Sequence, residues 1–189
     1  EGGTMTAHFL PIDQIGGAVS QFSLAGIFKK GGSLLFGATW SNDAGDGQDD
    51  RCVFVSTEGE VAVYSGTDPG NASTWAITGR YNLPRPIGPE AHLQIGGDLL
   101  IGTEAGLFSV SSAVQAEVSA LSDAAASRNI APLWQDEFEA SSSNRWEVIR
   151  LSRDDIMLVS LPGGDGLLCM NMQTRAWSRR VGVAVDCTA

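Results

Sequence analysis

Two segments of the chain alternate apolar and polar residues and resemble each other closely. They are VFVSTEGEVAVY at residues 53–64 and LLIGTEAGLFSV at residues 99–110, and each reads as two short strands joined by a turn. Their matching positions lie 46 residues apart: Val53 with Leu99, Val55 with Ile101, and Val61 with Leu107. A repeat of roughly 40–50 residues carried by β-hairpins is typical of propeller blades. The pattern therefore predicts an all-β fold of propeller-like antiparallel blades.

The same alternation predicts strands on both sides of the repeat. Residues 22–28 and 34–40 read as a hairpin around the turn from Lys29 to Gly32. Further strands are predicted at residues 5–10, 75–81, 91–95, 146–151, 156–161, 167–172 and 177–181. The strand phase predicts that nine apolar side chains are buried: Val53, Val55, Val61, Leu99, Ile101, Leu107, Ile156, Leu158 and Leu168.

One stretch of the chain has helical rather than strand periodicity. Apolar residues recur at three- and four-residue steps in residues 113–128, which contain no Gly or Pro, and Pro132 suits the first turn of a second short helix. The pattern predicts a helical insertion at residues 113–139. We expect residues 1–189 to form a single, partial propeller-like body that contains this insertion. Its apolar stripe either packs on its own sheet or contacts a partner.

Composition supports a folded β-rich protein and argues against nucleic-acid binding. The chain has 43% hydrophobic and 18% charged residues, with 23 glycines available for turns. Its net charge of −10 repels polyanions, and its two lysines, Lys29 and Lys30, read as a solvated turn rather than a phosphate contact. No apolar run is long enough to span a membrane. The chain starts at Glu1 without Met and ends in a segment that reads as the start of another apolar strand. We therefore expect it to be part of a longer polypeptide.

The residues that could carry chemistry are few and scattered. His8 and His92 stand apart from any catalytic motif, and Cys52, Cys169 and Cys187 lack metal-ligand spacing. The sequence therefore predicts structural histidines, buried thiols at Cys52 and Cys169 in a reducing compartment, and no catalytic or cofactor-binding residues.

An acidic loop is the exception among the candidate sites. SNDAGDGQDD at residues 41–50 supplies carboxylate oxygens of the kind that Ca²⁺ binds. The candidate ligands are Asp43, Asp46, Asp49 and Asp50. The loop lacks the bidentate Glu of an EF-hand, so a solvated loop without metal is the competing interpretation.

Several strings resemble a family of uncharacterised tailed-bacteriophage and prophage structural proteins. They are LPIDQIGGA at residues 10–18, WSNDAGDGQDDRCVFVSTEGEVAVYSGTDP at 40–69, RYNLPRPIG at 80–88 and GGDLLIGTEAGL at 96–107. The resemblance implies a virion component near the tail or the head-to-tail connection, with a propeller-like body. It brings no catalytic residues with it.

We therefore expect a non-enzymatic virion structural or assembly protein that acts through protein–protein contacts. Its expected partners are other virion or tail proteins and a second copy of itself, with no nucleic acid and no membrane, and its expected location is the virion, assembled in the bacterial host cytoplasm. The alternative is a carbohydrate-binding or glycan-cleaving propeller module. A glycoside hydrolase of that kind would need two carboxylates roughly 5–10 Å apart in a concave pocket.

Overall fold

The structure is a computed structural model that describes residues 3–41, 50–115, 121, 123–141, 145–162 and 166–182. It is mainly β, with 45% strand and 14% helix, and its sheets are antiparallel. The strands are β1 (Thr6–Phe9), β2 (Ser20–Ser23), β3 (Leu34–Ser41), β4 (Asp50–Ser56), β5 (Glu60–Ser65), β6 (Ala76–Asn82), β7 (His92–Ile95), β8 (Asp98–Thr103), β9 (Gly106–Ser109), β10 (Glu147–Leu151), β11 (Ile156–Ser160), β12 (Gly166–Asn171) and β13 (Trp177–Val181).

Helical structure lies in the predicted insertion, although it begins slightly earlier. Helix α1 spans Val110–Gln115, a 3-10 turn spans Arg128–Ile130, and helix α2 spans Ala131–Ala140 with Pro132 in its first turn. The predicted second helix is thus confirmed. None of the helices in the described part of the chain is long and apolar enough to cross a membrane.

The chain forms two compact units. The first runs through Leu83 and includes Gly96–Asp98, and the second consists of Pro84–Ile95 and the residues from Leu99 onward. The first contains the hairpin β1-β2 and the sheet β3-β4-β5-β6. The second contains the sheet β10-β11-β12-β13 and most of the sheet β7-β8-β9. The prediction of a single propeller-like body stays a prediction.

The hairpin predicted around Lys29 and Lys30 is wrong. Strand β2 pairs with β1, and β3 pairs with β4. Residues between β2 and β3 instead form a turn whose buried side chains Leu24 and Phe28 pack on the sheet. The Leu24 amide donates to the Met5 carbonyl at 2.7 Å, which fixes this turn beside the N-terminal strand. Burial of the turn's apolar side chains thus outweighs the local hairpin signal.

The first sheet confirms the predicted strand phase. Val53 faces Val63 and Val55 faces Val61 across β4 and β5, so the four valines share one face, and all four are buried. The opposite face is covered by the aromatic cluster of the first unit. This cluster contains Phe22, Phe54, Tyr64 and Trp75, with ring centroids 5.2–6.0 Å apart in the contacts among them.

The repeated hairpins differ in register. In the first, Val55 pairs with Val61, whereas in the second Thr103 pairs with Gly106 across a two-residue turn and Ile101 pairs with Phe108. Leu107 therefore faces the side opposite to Ile101, although the sequence repeat aligns it with Val61. Both leucine and isoleucine are nevertheless buried, because the hairpin is covered on both faces.

The insertion bonds to the outer edge of β9. In the two four-stranded sheets, a fourth strand occupies the corresponding position. The Leu107 carbonyl accepts the Ala126 amide at 2.9 Å, and the Leu107 amide donates to the Ser127 hydroxyl at 3.0 Å. Trp134 of α2 is buried and donates its indole N–H to the Thr103 carbonyl at 3.0 Å. The described apolar residues of the insertion thus serve mainly to cover backbone and core, and Val114 is an exposed exception.

In the last sheet the predicted phase of β11 is wrong. Ile156 and Leu158 are half-buried, whereas Met157 and Val159 are fully buried and face Met170 and Leu168 of β12. Every side chain from Ile156 to Val159 is apolar, so the strand has no alternation from which to choose a face. Packing against Trp134, Trp146 and the neighbouring strands selects it. The other seven residues predicted to be buried are buried.

Candidate functional site

The acidic loop falls mostly outside the described residues. Asp43, Asp46 and Asp49 are among the residues that the structure does not describe, while Asp50 begins β4, is exposed and accepts a hydrogen bond from the Ser41 hydroxyl. Within the described ranges no three His, Cys, Asp or Glu side chains are grouped as metal ligands. The calcium hypothesis therefore stays a prediction.

The two histidines lie in strands, as expected. His8 is an exposed residue of β1 opposite Gln21. His92 begins β7, and its Nδ1 lies 2.7 Å from the Pro89 carbonyl oxygen, a local contact that orients the ring. Neither histidine belongs to a metal-binding group among the described residues.

The two described cysteines lie in strands, and the predicted burial is complete only for Cys169. Cys169 is buried in β12, and Cys52 is half-buried in β4 opposite Tyr64. Burial raises the pKa of the Cys52 thiol to about 11. The thiolate is the reactive form of cysteine, so Cys52 is a poor nucleophile at neutral pH. Cys187 lies outside the described residues.

The sequence interpretation missed a cavity beside the lysine turn. It has a volume of about 260 Å³ and is lined by Ile27, Phe28, Lys29, Glu60, Val61, Arg80, Tyr81 and Asn82. Two of the lining residues, Phe28 and Val61, are buried. Its lining residues carry both signs of charge, so the cavity is a concave polar site that the first unit offers to a ligand.

Glu60 fixes the turn that forms one wall of this cavity. Its carboxylate accepts the Lys29 backbone N–H, with 2.9 Å to each oxygen, and the Lys30 N–H at 2.8 Å. The chain then turns through Gly31 and Gly32, both with positive φ near 80°. A Cβ at Gly32 would collide with the Thr57 hydroxyl oxygen, so glycine is required there.

Arg80 lines the cavity from the outer strand β6. The pairing of Glu60 with Asn82 and of Ala62 with Arg80 places these four side chains on one face of the sheet. A guanidinium nitrogen of Arg80 lies 3.4 Å from the Ile27 carbonyl oxygen, so the arginine reaches over to the same turn. The Tyr81 ring points to the other face and packs over Gly79.

Sequence signals for this site exist but are weak. Arg80 is the only charged residue of β6, and Glu60 directly follows the hairpin glycine Gly59. Neither feature indicates that residues 27–29 fold back over β5 and β6. That approach depends on the burial of Leu24 and Phe28 and is visible only in the structure.

A second surface feature is an exposed apolar loop, which we define as residues 10–19 between β1 and β2. Ile12, Ile15 and Val19 are 60%, 105% and 58% exposed. The Gln14 amide donates to the Pro11 carbonyl at 3.2 Å, and Asp13 has a positive φ of 62°, so the loop has a defined turn. Three exposed branched side chains within one short loop suit a contact surface better than a solvated connection.

Comparison with known proteins adds no identity. Neither the protein-family models nor the curated proteins contain a match to this chain.

Proposed function

We propose that this chain is part of a non-enzymatic tailed-phage or prophage virion protein, with a propeller-type body, that acts in structure or assembly through protein–protein contacts. The order of the sheets supports the propeller part of the proposal. Each of the two four-stranded sheets is a simple meander of consecutive strands, and the three-stranded sheet between them in sequence is a meander as well. Successive four-stranded meanders are the units from which propellers are built.

The observation that carries the contact role is the exposed apolar loop. It overlaps the string LPIDQIGGA at residues 10–18 that resembles the phage family, and its branched side chains Ile12, Ile15 and Val19 are exposed. Burying such side chains against a partner stabilises an interface by about 1.5–3 kcal/mol each. The outer strands β6 and β13 each pair on one side only among the described strands, so their other backbone edges are additional candidate contact surfaces.

The proposed partners are neighbouring tail or head-to-tail connection proteins and a second copy of the chain. The proposed location is the virion, with assembly in the bacterial host cytoplasm. No nucleic-acid or membrane partner forms part of the proposal.

Replacement of Ile15 by Asp tests the contact role. We expect Ile15→Asp to weaken self-association, or association with a tail protein encoded beside this one, by about tenfold or more, because one buried side chain contributes that much free energy. Sedimentation velocity and co-purification measure the two associations. Gln14→Glu is the matched control, since it adds the same charge to the loop without removing an apolar side chain.

Two results would contradict the proposal. One is equal weakening by Ile15→Asp and Gln14→Glu, which would assign the effect to charge rather than to apolar contact. The other is a wild-type chain that stays monomeric and binds none of the adjacent virion proteins.

Carbohydrate binding is the second candidate function, and the cavity beside Glu60 is the observation that favours it. Of the residues that line this cavity, Glu60 alone is a carboxylate, and its oxygens are already engaged by backbone amides. A glycosidase of the usual type needs a second carboxylate across the bond to be cleaved. The cavity thus fits binding of a sugar better than its cleavage.

A further inference from the structure

Two cationic residues, Lys29 and Arg80, line the cavity beside Glu60, and neither has a charged partner among the described residues. Within the described residues neither Lys29 nor Arg80 forms an ion pair, and the guanidinium of Arg80 has a long contact to the Ile27 carbonyl at 3.4 Å. Both side chains are exposed and line the same cavity. Unpaired cations that converge on a concave site are suited to bind an anionic group.

Among the residues that line the cavity, Glu60 is the one carboxylate, and it forms no ion pair with Lys29 or Arg80. Glu60 directs its oxygens to the Lys29 and Lys30 backbone amides at 2.8–2.9 Å. Backbone N–H groups that converge in this way neutralise part of a carboxylate's charge. The side chains that line the cavity therefore carry one more positive than negative charge, in a chain whose net charge is −10.

The overall negative charge of the chain does not prevent anion binding at this position. At physiological ionic strength charges are screened over about 8 Å, so a ligand inside the cavity interacts mainly with the groups that line it. Addition of salt should weaken this interaction, because Lys29 and Arg80 are exposed.

The remaining polar groups favour a ligand that also carries hydroxyl groups. The Asn82 side-chain amide both donates and accepts hydrogen bonds, as a hydroxyl does. Glu60 makes three contacts to backbone amides, and a carboxylate has about four acceptor positions, so one remains for a hydroxyl donor. The volume of about 260 Å³ is smaller than the roughly 300–1,000 Å³ of pockets for drug-sized ligands.

We propose that this cavity binds a small hydroxylated carboxylate of the acidic-sugar class, with Lys29 and Arg80 as the partners of the carboxylate. Asn82 and the free acceptor position of Glu60 bind the hydroxyl groups. The proposal deepens the carbohydrate-binding candidate given above for the same cavity. It is independent of the assembly role, since the cavity shares no residue with the exposed apolar loop, so failure of one leaves the other standing.

Titration calorimetry with glucuronate, and with glucose as the neutral sugar of the same size, tests the proposal on the full chain. We expect glucuronate to bind at least about tenfold more tightly than glucose, because a charge-assisted hydrogen bond contributes more than a neutral one. Lys29→Gln and Arg80→Gln should each weaken glucuronate binding by about tenfold. Lys30→Gln is the matched control, because its side chain does not line the cavity.

Circular dichroism of every variant establishes that the first unit is folded before binding is compared. Lys29 is exposed and its side chain has no partner among the described residues, so Lys29→Gln keeps the test informative if Arg80→Gln disturbs β6. The proposal is overturned if the folded wild-type chain does not bind glucuronate or binds glucose equally well. It is also overturned if Lys30→Gln weakens binding as much as Lys29→Gln does.

Discussion

The sheets β3–β6 and β10–β13 have the same strand order and a similar turn before the fourth strand, yet they are stabilised differently. In the first, the Asn71 side chain accepts the Ser73 amide at 3.0 Å, and Trp75 directly precedes β6. In the other, the Asn171 side chain accepts the Gln173 and Thr174 amides at 3.0 and 2.9 Å, and Trp177 begins β13. Asn forms such turns because its side chain can replace a backbone acceptor.

The difference lies in what covers each sheet and in the environment of the two tryptophans. Trp75 stacks on Tyr64 with ring centroids 5.4 Å apart, and its buried indole N–H has no partner among the described residues. Trp177 donates its indole N–H to the Ala126 carbonyl of the insertion at 3.1 Å. An aromatic cluster therefore covers the first sheet, whereas a helical insertion with polar anchors covers the second. The same strand order can therefore be stabilised either by an aromatic cluster or by a helical insertion, provided that the apolar face of the sheet is buried.

The largest expected loss of stability comes from a substitution on the buried face of β11, and it tests how the second sheet is stabilised. Met157 is fully buried in the core of the second unit, while Ile156 points to the other face and is half-buried. We expect Met157→Asp to cost several kcal/mol and leave the chain largely unfolded, because an unpaired charge in an apolar core is unfavourable. Ile156→Asp should remain folded. Circular dichroism and urea unfolding measure both, and equal effects would show that the face is assigned incorrectly.

A smaller effect separates the two tryptophans. Trp177→Phe removes the hydrogen bond to Ala126 and should lower the free energy of unfolding by about 1 kcal/mol beyond the change in packing. Trp75→Phe removes an N–H that has no partner in the described part of the chain, so it should cost less. Urea unfolding followed by circular dichroism compares the two variants. A larger cost for Trp75→Phe would mean that aromatic stacking outweighs the polar anchor.

The smallest effect is an alkaline pH dependence of the first sheet. Burial raises the pKa of Cys52 from 9.0 to about 11, and it also raises the pKa of Tyr64, against an opposing effect of Arg80. The folded chain holds the Cys52 proton more tightly than the unfolded chain. The stability that this provides is fully present below pH 9 and is lost as the pH rises to about 11.

The variant Cys52→Ala tests this pH dependence. Its urea midpoint should fall less steeply between pH 9 and pH 11 than that of the wild type, whatever offset the substitution causes at pH 8. An identical slope for both chains would show that Tyr64 or another group causes the alkaline loss.

The sequence by itself determined the features that depend on local pattern. The alternation around Val53 and Val55 predicted strands, their buried face and the antiparallel hairpin, since a side-chain period of two permits only one arrangement when one face is apolar. Pro132 and the apolar residues after it likewise predicted helix α2. These elements require no knowledge of distant residues.

Only the tertiary structure decided the features for which local pattern is ambiguous. The buried face of the uniformly apolar β11 is selected by its neighbours. The apolar segment around Leu24 forms a turn that packs on the face of the β3–β6 sheet instead of pairing with β3 as a hairpin strand. The cavity beside Glu60 arises from that same turn, which brings Lys29 near Arg80 although 51 residues separate them. Long-range burial joins such residues, and no periodicity in the sequence records it.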